Sequence, residues 1–424
     1  MNKTYPIILR VLFFVATAGV LQGCLKDKIT RTFPINIPVL ESLTQYRKNI
    51  KSESPKDIVS AGKLTAFGHY LFLSAPGLGI HVIDNSNPAV PKNVSFINIP
   101  GNNDMAIQGN TLYVDAYGDL VTFDISDPAH AIAENFETNV FQDNSIYFRG
   151  LPAYSGAPTN PDSVTVVASW ITKDTTVPYD PSNPIYQPLA FTANGCTACA
   201  NSVAPGSGST GTNGSTARFS IINNYLYTVG YSTLSTFDVT QRAQPAFTNT
   251  VQVDFHVETI YPFRNNLFVG TNNGVYMYDV LSTPATPTLL GEFTHLRGCD
   301  PVIADSNYAY VTINDSSACL GFDNQLQIVN IQNLNQPFLV KTYQLIHPQG
   351  LSKDGRYLFI CDGRGGLKIY DASDVSNLQL VKQLNDTSPI DVIAANGLAI
   401  VVGTNGLYQY DYSNINDIHL VSKL

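Results

Sequence analysis

The chain has 424 residues, a formal net charge of −9 and only 13% charged residues. A nucleic-acid partner would call for a basic stripe, and an acidic, charge-poor chain excludes that class. With 23 Tyr, 21 Phe, 30 Gly and 25 Pro against three Met and one Trp, it reads as short strands joined by turns, an all-β protein.

Residues 1–23 form an export signal. Lys3 and Arg10 supply the basic end, and Val11 to Val20 supply an apolar stretch too short to span a bilayer as a stable helix. It runs into Leu21-Gln-Gly-Cys24, which resembles a bacterial lipobox; that resemblance implies Cys24 as the lipidated N-terminus, with a plain secretory signal as the alternative. Attachment to the membrane through this anchor places the chain in the cell envelope, at the outer membrane, on its periplasmic or its surface side. Residues 24–56 are expected to be an anchored linker, and residues 45–57 and 205–216 are polar enough for linker or loop. The sequence has no second apolar run long enough to span a membrane.

From residue 57 onward one short strand recurs. Its copies include Gly79-Ile-His-Val-Ile-Asp84, Leu367-Lys-Ile-Tyr-Asp371 and Leu407-Tyr-Gln-Tyr-Asp411. The marker residue at the strand end is Asp84, Asp124, Asp238, Asp279, Asn330, Asp371 and Asp411, at intervals of 40, 114, 41, 51, 41 and 40 residues. A buried strand of the type Tyr70-Leu-Phe-Leu-Ser74 precedes each marker, and a Pro-containing turn with a further strand follows most of them. A period near 40 with four short strands per unit is a propeller-blade period. The predicted fold is an all-β, seven-bladed β-propeller spanning 57–424. Blades A-B-C-D run outward from the axis, and no strand exchange is needed at closure. Residues 34–43 are a candidate extra outer strand. The repeated Asp followed two residues later by Ser or Thr is turn chemistry, not a metal ring.

The repeat core at Gly79–Pro91 and Gly366–Ser373 resembles the LVIVD-repeat family of bacterial surface and secreted propellers. The runs 79–128 and 299–312 look like lipoproteins of this type from Bacteroidetes-like bacteria. The resemblance covers the chain from about Thr44 onward. It implies the fold and an extracytoplasmic location, and it brings no catalytic residues, cofactor or substrate with it. The long second interval and Asn330 depart from the plain repeat.

Strand A runs down, B up, C down and D up, so the D-to-A and B-to-C connections share one face, the top. The excess in the 114-residue interval is expected at about 140–215, as an insertion projecting from the top between blades 2 and 3; a degenerate eighth blade is the alternative. Ser163 to Tyr179 in this insertion suggests a hairpin arm carrying Trp170. Cys196 and Cys199 suggest a local disulfide, with a redox pair, a zinc site or reduced thiols as the other readings. Cys299 and Cys319 both fall on the top face of blade 5, where a disulfide would staple the long loop 314–325. Cys361 is left over.

Counting back from each B strand gives the residues that begin the innermost strands: Lys63, Asp104, Arg218, Glu258, Asp300, Gln349 and Asp391. These should ring the axial funnel, with Asn102, Asn103, His256, Arg297 and His347 nearby. Convergent polar groups on a rigid scaffold make a candidate ligand site; solvating the channel and capping strand ends is the plainer role. No nucleophile elbow, zinc-helix motif or phosphate loop is present, so no catalytic residues, metal or cofactor are assigned. Glu258 and Asp300 would suit glycosidase chemistry only at the right separation. The expected function is a lipid-anchored binding or interaction module for a protein, peptide or glycan. The alternatives are an enzyme acting on extracellular glycan or peptide at the funnel, and a structural subunit of an envelope assembly.

Overall fold

The computed structural model describes residues 30–138, 140–141, 165–178, 210–254, 256–295, 298, 301–315 and 323–424. The export signal, Cys24, Cys196, Cys199, Arg297, Cys299, Asp300 and Cys319 lie outside the described residues. The chain divides into two units, residues 40–168 with 193–424, and residues 1–39 with 169–192.

The larger unit is a β-propeller. Seven antiparallel sheets each contain four strands in chain order, as predicted, and no eighth four-stranded sheet occurs among the described residues. Strands A lie innermost: Leu64–Phe67, Met105–Gln108, Phe219–Ile222, Val257–Phe263, Val302–Ala304, Leu351–Asp354 and Pro389–Ala395 in blades 1 to 7. The B strands are buried almost throughout, as in Thr111–Ala116, because both of their faces meet neighbouring blades. The D strands lie at the rim and are the most exposed of the four. Phe247, Leu289, Leu339, Leu380 and Leu420 stand exposed there. Each is the cross-strand partner of a core residue of strand C, such as Tyr278 for Leu289 and Tyr410 for Leu420.

Two recurring residues of the repeat have direct structural causes. At each marker the side-chain oxygen accepts the backbone N–H two residues on, from Asp84 and Ser86 at 2.9 Å to Asp411 and Ser413 at 2.8 Å. Asn330 does the same to Gln332 at 3.1 Å, so the amide replaces the carboxylate without loss of the turn. The Gly that opens strand C is a matter of space: a Cβ on Gly79 would lie 2.0 Å from the Ile97 carbonyl, and one on Gly406 2.2 Å from that of Leu424. Both have φ in the positive range, 145° and 134°.

The ring closes between blades 7 and 1. Leu64, Leu71 and Leu73 pack with Ile393, Val402 and Leu407, and the amides of Asn85 and Gln409 bond reciprocally at 2.9 and 2.7 Å.

Three expectations change at the N-terminal side and the insertion. The outer strand added to blade 1 is Lys51–Glu53, paired with strand D from Phe96 to Asn98, not residues 34–43. Residues 34–42 lie instead within a strand, Thr30–Ser42, that pairs outside the blades. Residues 43–53, polar enough to pass for linker, are thus part of the propeller unit. Helix α1, Leu43–Asn49, is capped by Ser42; it buries Tyr46, whose hydroxyl donates to the Pro100 carbonyl at 2.8 Å, and pairs Arg47 with Asp119 at 2.6 Å.

A two-stranded ribbon pairs Thr30–Ser42 with Thr165–Pro178, and residues 30–39 and 169–178 of it belong to the second unit. The Thr32 and Thr176 hydroxyls lie 2.7 Å apart. Thr165–Pro178 is therefore one strand, not the two arms of the hairpin expected over 163–179. Its centre, Ile171-Thr-Lys-Asp174, offers no Gly for the positive φ that a tight hairpin turn requires.

The third change concerns the face. The chain leaves blade 2 on the top, where the Val140 and Phe141 amides both donate to the Gly118 carbonyl. It re-enters at the bottom, where Thr210 bridges Gln108, the last residue of a strand A. The described ends of the insertion, Phe141 and Thr210, thus lie on opposite faces, where both were expected at the top.

A plugged axial channel as the candidate site

Residues 210–217 run up the axis of the ring, from the bottom face to the top. Thr212 and Asn213 pair antiparallel with Ala66 and Thr65, and the Gly211 and Gly214 amides donate to the Ile107 and Leu64 carbonyls at 2.8 and 2.7 Å. Asn213 fixes the height of the segment. Its amide nitrogen donates to the Phe219 carbonyl at 2.9 Å, and its oxygen accepts from the Thr65 hydroxyl at 2.9 Å. The Ser215 hydroxyl accepts the Leu351 amide of blade 6 at 3.3 Å, and the Ala217 carbonyl accepts the Ile260 amide of blade 4 at 2.8 Å. One short stretch is thereby bonded to the innermost strands of blades 1, 2, 3, 4 and 6. Small residues are required for this: a Cβ on Gly211 would lie 2.8 Å from the Thr65 methyl, and one on Gly214 2.1 Å from Asp391 Oδ2.

The residues predicted to ring the funnel begin or closely precede the innermost strands wherever they are described. Four of them close around the upper end of the plug. The Lys63 ammonium donates to the Thr216 carbonyl. Asp104, 2% exposed, accepts the Met105 amide at 2.7 Å through Oδ1 and the Arg218 amide through Oδ2. Arg218 turns its guanidinium back to the Val229 carbonyl at 3.0 Å. Asp391, 1% exposed, accepts the Val392 amide through Oδ1, while its Oδ2 is buried without a hydrogen-bond partner.

Burial pushes the Asp104 carboxyl up to about 6, against the opposing pull of Lys63, with Asp115 adding to the rise. Burial holds the Asp391 carboxyl well above the usual carboxylate range, with Asp104 contributing repulsion and Lys63 opposing it. Desolvation outweighs the single ammonium because the plug and the strands exclude water.

The other described funnel candidates have partners of their own. Glu258 is buried beside His256, whose Nδ1 lies 3.9 Å away. His256 has φ +58°, a rare conformation for a non-glycine residue, and its ring packs edge-on against the half-exposed Tyr231 at 4.7 Å. Gln349 is held through its backbone, its amide to the Cys361 carbonyl at 2.7 Å and its carbonyl from the Thr312 hydroxyl at 2.6 Å. His347 lies 3.1 Å from Asp315. Asn102 and Asn103 both bond the buried Asp115. Cys361 is buried and carries no disulfide.

Sequence reasoning missed Asp115, Asp362 and the plug itself. Asp115 accepts the Asn103 and Asp104 amides at 2.8 Å and so shapes the turn that presents Asp104. Asp362 accepts the Ile346 and His347 amides and pairs with Lys368 at 2.6 Å. The signal for the plug was Gly211-Thr-Asn-Gly214, two glycines flanking an Asn directly ahead of an innermost strand.

Two spaces stand out among the described residues. A cavity of about 60 Å³ lies between the plug and strands A of blades 2 to 4, lined by Ile107, Phe219 and Tyr261. That is room for about two waters. A polar cleft of about 330 Å³ opens on the bottom face between the Asp305–Tyr308 turn and Ala372–Ser376. Its charged groups already satisfy each other: Asp305 takes the Asn307 and Tyr308 amides, the Tyr310 hydroxyl at 2.9 Å and Lys353 at 3.0 Å. Among the described residues, no group of three or more His, Cys, Asp or Glu is arranged to hold a metal ion.

The class defined by this architecture is a seven-bladed β-propeller, and parts of it carry LVIVD repeats. Residues 102–138, 300–344 and 348–386 match the model of the LVIVD repeat. No curated protein matches the sequence. Among solved structures, a protein from Lactobacillus plantarum is similar over 86% of this chain and 96% of its own, with 15% identity and a TM-score of 0.54. A putative 6-phosphogluconolactonase from Bacteroides fragilis matches over 88% of this chain and 97% of its own, at 10% identity and a TM-score of 0.52. A periplasmic gluconolactonase from Pseudomonas aeruginosa matches over 86% and 96%, at 12% identity and a TM-score of 0.50. At these identities the likeness is one of fold.

Proposed function

We propose that the chain is a lipid-anchored propeller of the bacterial cell envelope, held at the outer membrane through Cys24, that binds a protein, peptide or glycan. The observation that carries the reading is the plug. Residues 210–217 occupy the axis, and Lys63, Asp104 and Arg218 bond to the segment or to its junction with blade 3. An enzyme acting on glycan or peptide at the axis needs carboxyls that reach its substrate, and Asp104 and Asp391 are only 2% and 1% exposed. The gluconolactonase resemblance does not restore that reading, because it rests on fold alone. Recognition then belongs to the rim of the channel mouth on the top face, where Tyr231 is 46% exposed and His256 holds its uncommon backbone conformation beside it. Aromatic groups held on a rigid ring suit an exposed contact surface.

The test is capture from native envelope extract by the full chain and by a Tyr231→Ala, His256→Ala variant with an unchanged melting curve. A partner that binds the first and is lost or weakened at least tenfold with the second supports recognition at the mouth. Equal binding by both removes the mouth from the reading. Cys24→Ser in the same cells should release the protein from the membrane fraction; retention would overturn the anchor.

A further inference from the structure

We propose that the plug is a proton-linked latch: residues 210–217 seat against the innermost strands with Asp104 and Asp391 carrying protons, and their bonds loosen when both carboxyls ionise. The inference concerns the channel itself and stands whether or not the ring mouth binds a partner.

The geometry points to this through the surroundings of Asp391. Its Oδ1 takes a backbone amide, but Oδ2 is buried and faces no donor. The Gly214 backbone abuts that oxygen so closely that an added Cβ would lie 2.1 Å from it. A carboxyl oxygen buried against a CH₂ group, with no protein N–H or O–H donating to it, favours the neutral carboxylic acid. Asp104 is sealed by the same segment, since the Arg218 amide that it accepts follows the plug directly.

The balance of charge leads to the same conclusion. Lys63 of blade 1 interacts with both carboxyls, and its ammonium is also committed to the Thr216 carbonyl. Asp104 and Asp391 repel each other, and Asp115 of blade 2 adds to the load on Asp104. The Arg218 charge of blade 3 acts on Asp115. Glu258 and His256 of blade 4 form their own pair. On blade 6, Asp362 is matched by Lys368; the Cys361 thiol, pushed up by burial and by Asp391 and Asp362, stays neutral. One ammonium thus faces two buried carboxyls.

The direction follows from linkage. In the seated state both carboxyls hold protons more tightly than a solvated carboxyl does, which titrates near 4. Seating therefore takes up protons from solvent. The seated state gains as pH falls through about 6 for Asp104 and through the raised range of Asp391, and it weakens as pH rises through them. In the window between the solvated and the seated values, each proton taken up changes the seating equilibrium about tenfold per pH unit.

Hydrogen exchange on the full chain at pH 5 and pH 8, corrected for intrinsic rates, reads this directly. Protection of the Gly211 and Gly214 amides should drop at least tenfold from pH 5 to pH 8, while the B-strand amides of Leu358 to Ile360 change less. In an Asp104→Asn, Asp391→Asn variant, the neutral amides should keep the plug seated and flatten that dependence. A plug protection that is constant or rises with pH overturns the proposal. So does a drop shared equally by the B strands, which would place proton uptake on the whole fold, or a drop that survives intact in the double variant.

Discussion

The Lys63 ammonium donates to the carbonyl of Thr216, 153 positions further along the chain. The contact joins the first innermost strand of the propeller to the segment that fills its axis, and it brings the ammonium to the two buried carboxyls at the same point.

Lys63→Met keeps much of the side-chain volume and removes this charge. At pH 8, where Asp104 is ionised, it should cost on the order of 3 kcal/mol, the scale for leaving a buried carboxylate without its partner, and at pH 5 less. In an Asp104→Asn, Asp391→Asn background the same change should cost far less. A double-mutant cycle by urea unfolding gives the coupling; additive losses would show that Lys63 acts apart from the carboxyls.

Gly214→Ala should destabilise the protein by about 1–3 kcal/mol, since the new methyl meets a sealed carboxylate rather than the loose end of a surface side chain. Thermal melts measure the loss. Loss of exchange protection at Gly211 alongside it would show that the plug, not the ring, has given way.

The marker aspartates oppose Asp104 and Asp391 in sign. Hydrogen bonds from the residue two positions on hold Asp84, Asp124, Asp238, Asp279, Asp371 and Asp411 below the usual carboxylate range. Their contribution is present above about pH 4 and is lost as pH falls through the lowered folded values. Asp411→Asn should keep the turn, as Asn330 does, and make the melting temperature fall less steeply between pH 4 and pH 2. An unchanged slope would mean that the turn does not discriminate between the charge states.

Cys361 is fully buried, and its thiol is pushed well above its ordinary range by burial and by two neighbouring carboxylates. Iodoacetamide at pH 8 should leave it unmodified in the native protein and modify it fully in guanidinium, as read by peptide mass mapping. Modification of the folded protein would show that the inner strands of blade 6 open locally.

The ring was readable because its signals are local and repeated. Asp371 bonds to Ser373, two residues away, and each repeat says so again. The innermost positions followed by alignment, so Asp104 and Asp391 were found at the heads of their strands. The plug was hidden for the opposite reason. Thr212 and Asn213 form a two-residue pairing with a strand far back in the chain, and a Gly-rich stretch with so short a ladder carries the composition of a loop. The face was misjudged on the same ground. Blade geometry fixes where the insertion leaves, at Gly118 and Phe141, but nothing in the repeat says by which side it returns. Lys51–Glu53 escaped notice because three polar residues carry no period of their own.

Because residues 210–217 continue directly into blade 3 at one end, the ring has to be wound around a segment already in place. The order of synthesis then matters. The plug and blades 1 to 3 emerge from the ribosome well before Asp391, which lies in the last blade and abuts Gly214. Every truncated or nascent chain that stops short of blade 7 holds an axle whose upper bearing is missing. Completion of the seventh blade is therefore the step that both shuts the circle and seats its axle, and a partly made chain has neither.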